Sequence, residues 1–152
     1  MTKQTETLTR MIREVRTCFN QLRTLSETLN ADLGIQPSMR AIMESLTGNE
    51  TRTVPDLAQE RGTSRQHVQK VINGLLDRDL VRSKENPEHK RSVIYMLTPK
   101  GEQIFTEIRL REAAPMRSLS ETLSQADIHA AAEVLSRMNH QLDHLINQGE
   151  TK

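Results

Sequence analysis

The chain is poor in aromatics, in cysteine and in any surplus of one charge. Its 152 residues hold no tryptophan, one tyrosine and two phenylalanines, an aromatic share of 2%. That argues against a large aromatic-lined ligand pocket. The single cysteine, Cys18, cannot close an intramolecular disulfide, and no CxxC or Cys/His cluster offers zinc a home. No apolar run is long enough to cross a bilayer. The polar stretch Met1 to Arg10 contains no signal-peptide core. Lys and Arg number 21 against 20 Asp and Glu, a net charge of +1. Overall charge therefore does not mark a polyanion binder, and any basic patch must be local. No nucleophile–base set, metal cluster or phosphate-cradling glycine loop is visible. The expectation is a cytoplasmic, non-enzymatic protein with no cofactor, no metal and no membrane contact.

What is present is helical periodicity. Leu8, Met11, Ile12, Val15, Phe19, Leu22, Leu25 and Leu29 are spaced as one face of a long helix, with Leu8, Val15, Leu22 and Leu29 recurring in a heptad. Gly34 predicts its stop. Pro37 opens a second helix carrying Met39, Ile42, Met43 and Leu46, and Gly48 and Asn49 end it. Thr53, Pro55 and Asp56 predict the cap and first turn of a short third helix, which Gly62 ends. Ser64 caps a fourth, whose Val68, Val71, Ile72, Leu75 and Leu76 form a clean apolar stripe.

Beyond Leu80 the period changes to two. Val93, Tyr95 and Leu97 alternate with Ser92, Ile94 and Met96 as a strand does, and Leu80 to Lys84 is a plausible partner. The segment "ENPEHKR" between them reads as a hairpin loop. Thr98 and Pro99 start another helix, which Pro115 is expected to kink or end. A last helix starts near Ser124, with Ile128, Ala131, Leu135, Met138, Leu142 and Leu145 in its stripe. The two terminal helices have no obvious partner within so short a chain, which suggests that two copies bury their stripes together.

The functional signal lies in "LAQERGTSRQHVQK". Two helices joined by a glycine-containing turn match the helix-turn-helix pattern. A helix about 10–12 Å wide enters a B-DNA major groove of about 12 Å. Arg65 offers guanine two donors, and Gln66 or Gln69 pairs adenine likewise. Lys70, Asn73 and the Ser64 hydroxyl suit phosphates, as do the free N–H groups at the start of the helix. His67 lies at the margin of that face. From Arg65 to Arg91 seven basic residues face four acids, and Lys90 and Arg91 are placed to reach a phosphate or the minor groove.

In "VPDLAQERGTSRQHVQKVINGLLDRDLV" followed by "RSKENPEHKRSVIYMLTPKG" the chain resembles the MarR family of bacterial transcription regulators. The likeness covers nearly the whole chain. It rests on the groove helix, the charged hairpin ending in a basic pair, and "LTPKG" opening the next helix. It implies a single mainly α domain with a small β-hairpin. In that domain residues of about 35–100 form a winged helix-turn-helix lobe, and residues of about 5–33 and 101–148 form dimerisation helices. It implies a homodimeric, ligand-responsive repressor on a pseudo-palindromic operator, with a small-molecule effector between the dimer helices and the lobes. No residue of the sequence marks the ligand site.

Two departures stand out. The family usually has an acid two residues before the wing arginine; here His89 stands there, so an orienting ion pair is expected to be missing or pH-dependent. Arg61 and Thr63 fill positions more often apolar, so looser packing is expected around the turn.

Bland readings stand beside these. The face from Ser64 to Asn73 taken alone fits any solvated helix, and a winged helix also serves as a protein-interaction module. An exposed apolar patch in place of Arg65, Gln66, Gln69 and Lys70 would favour the latter. Cys18 in a first helix resembles the reactive thiol of redox-sensing relatives, but the only tyrosine, Tyr95, lies in the wing strand. A plain buried small side chain is the favoured reading of Cys18. His140 and His144 share a helix face at metal-ligand spacing without a third ligand, and the seven methionines read as gap-fillers.

Overall fold

The computed structural model describes residues 1–149. Thr2 caps helix α1 (Lys3–Asn30) by accepting the Thr5 N–H at 3.2 Å. A 3-10 turn, Ala31–Leu33, follows and ends at Gly34 with φ +66°. Only glycine takes that dihedral without steric cost. Helix α2 (Pro37–Ser45) has its proline in the first turn, where a missing N–H costs nothing. Helices α3 (Val54–Arg61) and α4 (Arg65–Asp77) come next.

The end of α4 carries a stop signal that is not a glycine. Asp79 sits at φ +57°, the Leu80 N–H returns to the Leu75 carbonyl at 2.9 Å, and the Asp79 N–H returns to Leu76 at 3.0 Å. This is a Schellman cap built on aspartate, one of the residues that tolerates left-handed backbone. Leu80 is thereby drawn into the terminal turn, so strand β1 (Val81–Glu85) starts one residue later than its alternation predicts.

β1 pairs antiparallel with β2 (Val93–Leu97), in register from Val81 opposite Leu97 to Glu85 opposite Val93. Arg52 adds a single bridge on the other side of β2, exchanging both backbone hydrogen bonds with Tyr95 at 3.2 and 2.9 Å. Thr98 then starts helix α5 (Pro99–Glu121). Its hydroxyl accepts the Gly101 N–H at 3.0 Å and donates to the Asp79 carbonyl at 2.6 Å. Pro115 lies inside α5 and does not end it: one lost N–H donor leaves the helix running to Glu121. Ser124 caps helix α6 (Gln125–Gly149) by accepting the Asp127 N–H at 3.1 Å.

The chain divides into two compact units, one from Met1 to Arg109 and one from Leu110 onward. The first holds the hydrophobic core, in which Met43, Leu46, Leu57, Val68, Ile72, Leu75, Leu80 and Ile108 are fully buried. Each such side chain stabilises the fold by about 1.5–3 kcal/mol through burial. Gly101 marks how tightly α5 leaves the sheet: a Cβ there would overlap the Leu80 carbonyl oxygen. That is the physical reason for a glycine in "LTPKG".

The long helices are another matter. In α1 only Ser26 and Asn30 are buried, and Phe19 is 65% exposed. No residue of α6 is buried, and its Leu145 and Ile146 are 55% and 61% exposed.

Candidate nucleic-acid interface

The turn before α4 is built by two opposed caps. α3 begins with a full capping box: the Thr53 hydroxyl accepts the Asp56 N–H, and the Asp56 carboxylate accepts the Thr53 N–H. It ends with Gly62 at φ +63° and a 3.0 Å hydrogen bond from the Thr63 N–H to the Ala58 carbonyl. Ser64 then caps α4, accepting the His67 N–H at 3.0 Å. Only two residues separate the cap glycine of one helix from the first residue of the next, so the crossing is fixed by backbone hydrogen bonds. Val68, Val71, Ile72 and Leu75 anchor the inner side of α4 in the core.

The outer side carries the residues singled out in the sequence. Ser64, Arg65, Gln66, His67, Lys70 and Asn73 are exposed, and Gln69 is half-buried. The Gln69 amide donates to the Asn73 side-chain oxygen at 3.0 Å, so these two present themselves as a joined pair one helical turn apart. The Ser64 hydroxyl oxygen is engaged as the cap, which leaves its proton as a donor outward. A helix whose first N–H groups point past such a cap carries partial positive charge at that end, which suits an anion.

The hairpin tip consists of two consecutive β-turns that share His89. In the first, the His89 N–H returns to the Asn86 carbonyl at 3.2 Å; in the second, the Ser92 N–H returns to the His89 carbonyl at 3.1 Å. Lys90 and Arg91 are the two corner residues of the second turn, and both are exposed. Side chains close the loop. The Asn86 amide donates to the Ser92 hydroxyl at 2.9 Å, that hydroxyl donates to the His89 carbonyl at 3.1 Å, and the Asn86 side-chain oxygen accepts the Glu88 N–H at 3.0 Å. The ion pair absent at His89 is thus replaced by a neutral clamp that contains no titrating group.

Arg61 does not loosen the turn as expected. Its Nε donates to the Ser45 hydroxyl at 2.9 Å, and its guanidinium pairs with Glu44 at 3.2 Å. Ser45 is itself buried and donates to Glu60 at 3.0 Å, and Glu60 accepts the Arg52 Nε at 3.3 Å. A polar seam therefore ties α2 to α3, and through Arg52 to the wing strand. Burial pushes the Glu44 carboxyl up, but Arg40 and Arg61 together outweigh it and hold the carboxyl below its ordinary range. The sequence pattern makes Arg61 a misplaced charge; the fold supplies its partners.

Cys18, read as a buried small side chain, is exposed on α1. The reason is the same openness that leaves Phe19 uncovered. Among the described residues no group of three His, Cys, Asp or Glu is placed to hold a metal ion, and the His144 ring is hydrogen-bonded to Gln148 at 2.9 Å. No described helix is long and apolar enough to cross a membrane.

Comparison with known proteins agrees with this geometry. The MarR family profile matches residues 33–92, the stretch that holds the two-helix turn, β1 and the hairpin tip. The crystal structure of the MarR family transcription regulator SP03579 superposes with a TM-score of 0.74, at 28% identity over 95% of both chains. The chain is similar to the MarR family of transcription regulators over residues 33–92. The uncharacterized protein Rv2011c of Mycobacterium tuberculosis is 28% identical over 131 residues, 86% of this chain and 91% of its own. Two more distant structures share the MarR fold. A MarR variant from E. coli complexed with operator DNA has a TM-score of 0.73 at 15% identity, covering 90% of this chain and 99% of that one. NadR in complex with 4-hydroxyphenylacetate has a TM-score of 0.76 at 20% identity, covering 83% and 89%.

Within the matched stretch one basic residue counted toward the positive patch faces the wrong way. The Arg78 guanidinium donates to the Gly34 carbonyl at 2.6 Å and the Leu33 carbonyl at 2.7 Å. It secures the end of the 3-10 turn against α4 and is not part of the outer face. Conversely, Arg82 and Lys84 are exposed on β1, opposite Met96 and Ile94 on the face away from buried Val81 and Leu97. The sequence places them on the expected partner strand without a face. The alternation from Val81 onward is the signal that could have placed them.

Proposed function

We propose that this protein is a MarR-type regulator that binds double-stranded DNA in a sequence-specific way, as a homodimer on a pseudo-palindromic operator, and acts as a repressor whose DNA binding responds to a small-molecule effector. One observation carries the DNA reading. Arg65, Gln66 and Lys70 stand exposed on a rigidly capped helix, and Lys90 and Arg91 stand at the corner of the adjoining hairpin. A protein-docking face would be apolar; this one is a row of donors and cations. Arg65, Gln66 and Gln69 are assigned to base edges, with His67 at their margin. Ser64, Lys70 and Asn73 are assigned to phosphates, and Lys90 and Arg91 to the flanking backbone or minor groove. The operator complex of the E. coli MarR variant, a chain of the same fold, supports the DNA reading.

The dimer rests on exposed apolar surface. Leu8, Phe19 and Leu22 of α1 and Leu142, Leu145 and Ile146 of α6 are each at least 44% exposed in the single chain. Apolar stripes of this length are covered in a stable protein. The reading therefore takes the chain as one MarR-type domain, with residues of about 35–100 as the DNA-binding lobe and the terminal helices as the dimer element. Two lobes would address half-sites about 10 bp apart or a multiple of that. NadR, bound to 4-hydroxyphenylacetate, supports a small-molecule effector, which would act by favouring one lobe spacing over another.

The test is selection of bound fragments from the source genome, followed by gel shifts at two salt concentrations. Affinity falls steeply with salt when phosphates are contacted. Arg65→Ala should relax base preference at one position per half-site by about 1–3 kcal/mol, and Arg91→Ala should weaken all sequences alike. If both variants bind the selected operator like wild type, the assigned roles are wrong.

A further inference from the structure

We propose that Asn86 is the positioning residue of the wing: by clamping Ser92 across the hairpin neck it sets the direction in which Lys90 and Arg91 meet the DNA. The inference rests on the DNA-binding reading above and adds to it a residue with no DNA contact of its own.

The argument starts from how short hairpins hold their tips. A charged corner residue reaches a fixed target only if the turn beneath it is fixed, because a loose loop dissipates the contact in conformational entropy. This tip is long, seven residues between the last residue of β1 and the first of β2. Its own backbone provides two turn closures and one long link, the Asn86 N–H to the Ser92 carbonyl at 3.4 Å. The remaining restraint comes from side chains, and all of it converges on one pair. Asn86 uses both ends of its amide, the nitrogen toward Ser92 at 2.9 Å and the oxygen toward the Glu88 N–H at 3.0 Å. Ser92 passes the restraint on, since its hydroxyl reaches the His89 carbonyl at 3.1 Å. That carbonyl is the acceptor that closes the turn bearing Lys90 and Arg91.

His89 accordingly acts through its backbone. Its N–H closes the first turn and its carbonyl closes the second, while its ring is exposed. Asn86 and Ser92 are the half-buried residues of an otherwise exposed tip, as a clamp beneath the turn requires. Wing orientation here needs no charge.

The experiment compares wild type, Asn86→Ala, Arg91→Ala and the double variant on the selected operator across a salt series. Loss of Arg91 should weaken binding roughly tenfold and reduce the slope of log affinity against log salt by about one. The decisive readout is the slope for Asn86→Ala. That substitution removes no charge, yet it should flatten the slope by a similar amount, because the arginine no longer meets its phosphate. The double variant should be little weaker than Arg91→Ala alone. Ser92→Ala should reproduce the effect and Ser92→Thr, which keeps the hydroxyl, should restore it. A wild-type slope in Asn86→Ala, or losses that multiply in the double variant, overturns the proposal while leaving DNA binding intact. A wild-type protein that binds no duplex overturns both. Circular dichroism of each variant separates these outcomes from unfolding, and a misfolded Asn86→Ala leaves the Ser92 pair to decide.

Discussion

Replacing Arg78 by glutamine separates a structural cation from a DNA-facing one. Its guanidinium makes two short hydrogen bonds to main-chain carbonyls of residues 33 and 34. A hydrogen bond from a charged donor is worth about 1.5–3 kcal/mol net. The Gly34 bond is solvent-exposed and the Leu33 bond only part-buried, so water replaces much of the first when the arginine is lost. The expected cost is therefore about 2 kcal/mol rather than the full sum. For a chain of this length that lowers Tm by roughly 4–8 °C. Circular dichroism melts of both proteins at equal protomer concentration measure it, since an oligomer's Tm depends on concentration. The same samples give operator affinity against salt, and the slope should be that of wild type, because no phosphate contact is removed. An unchanged Tm together with a slope flattened by about one would refute the reasoning and put Arg78 on the DNA.

Two further outcomes follow from the packing. Gly101→Ala places a methyl group into the Leu80 carbonyl, and the strain of separating α5 from the sheet should destabilise the lobe by about 1–3 kcal/mol or prevent folding; a wild-type urea midpoint would contradict the contact. Glu44 is held below its ordinary range, so its contribution to stability is fully present above the unfolded-state value near about 4.3 and is lost as pH falls through the lower folded one. The Tm gap between wild type and Glu44→Gln should therefore close on acidification below that value, and it should correspond to less than about 1 kcal/mol at neutral pH because the pair is half-exposed. A gap that is constant with pH would remove the carboxylate from the account.

Much of the local structure was legible in the residues alone. Thr53, Ser64, Thr98 and Ser124 cap because a hydroxyl reaches an N–H three residues on, and that geometry is local. Gly34 and Gly62 stop helices for the equally local reason of a left-handed dihedral. The α4 stripe identified both the buried side of that helix and, by subtraction, the outer row from Arg65 to Asn73. Pro115 does not end α5, because one missing N–H weakens a helix without obliging it to stop. Asp79 was passed over as a stop because aspartate enters left-handed backbone only where its surroundings favour it.

Periodicity and capping, which act over three or four residues, were sufficient to specify the helices, the hairpin and the exposed row of donors. The fate of individual charges was not open to such reading. Arg78 finds its acceptors 44 and 45 residues earlier in the chain, and Arg61 finds Ser45 16 residues away. In the wing, the closing partner of Asn86 lies at the far end of the hairpin loop. A side chain's partner across the fold depends on where two distant backbones cross, and no local spacing encodes that. Composition and pattern placed the donors on a helix and a hairpin; the packed chain decided which of them point outward and what holds them there.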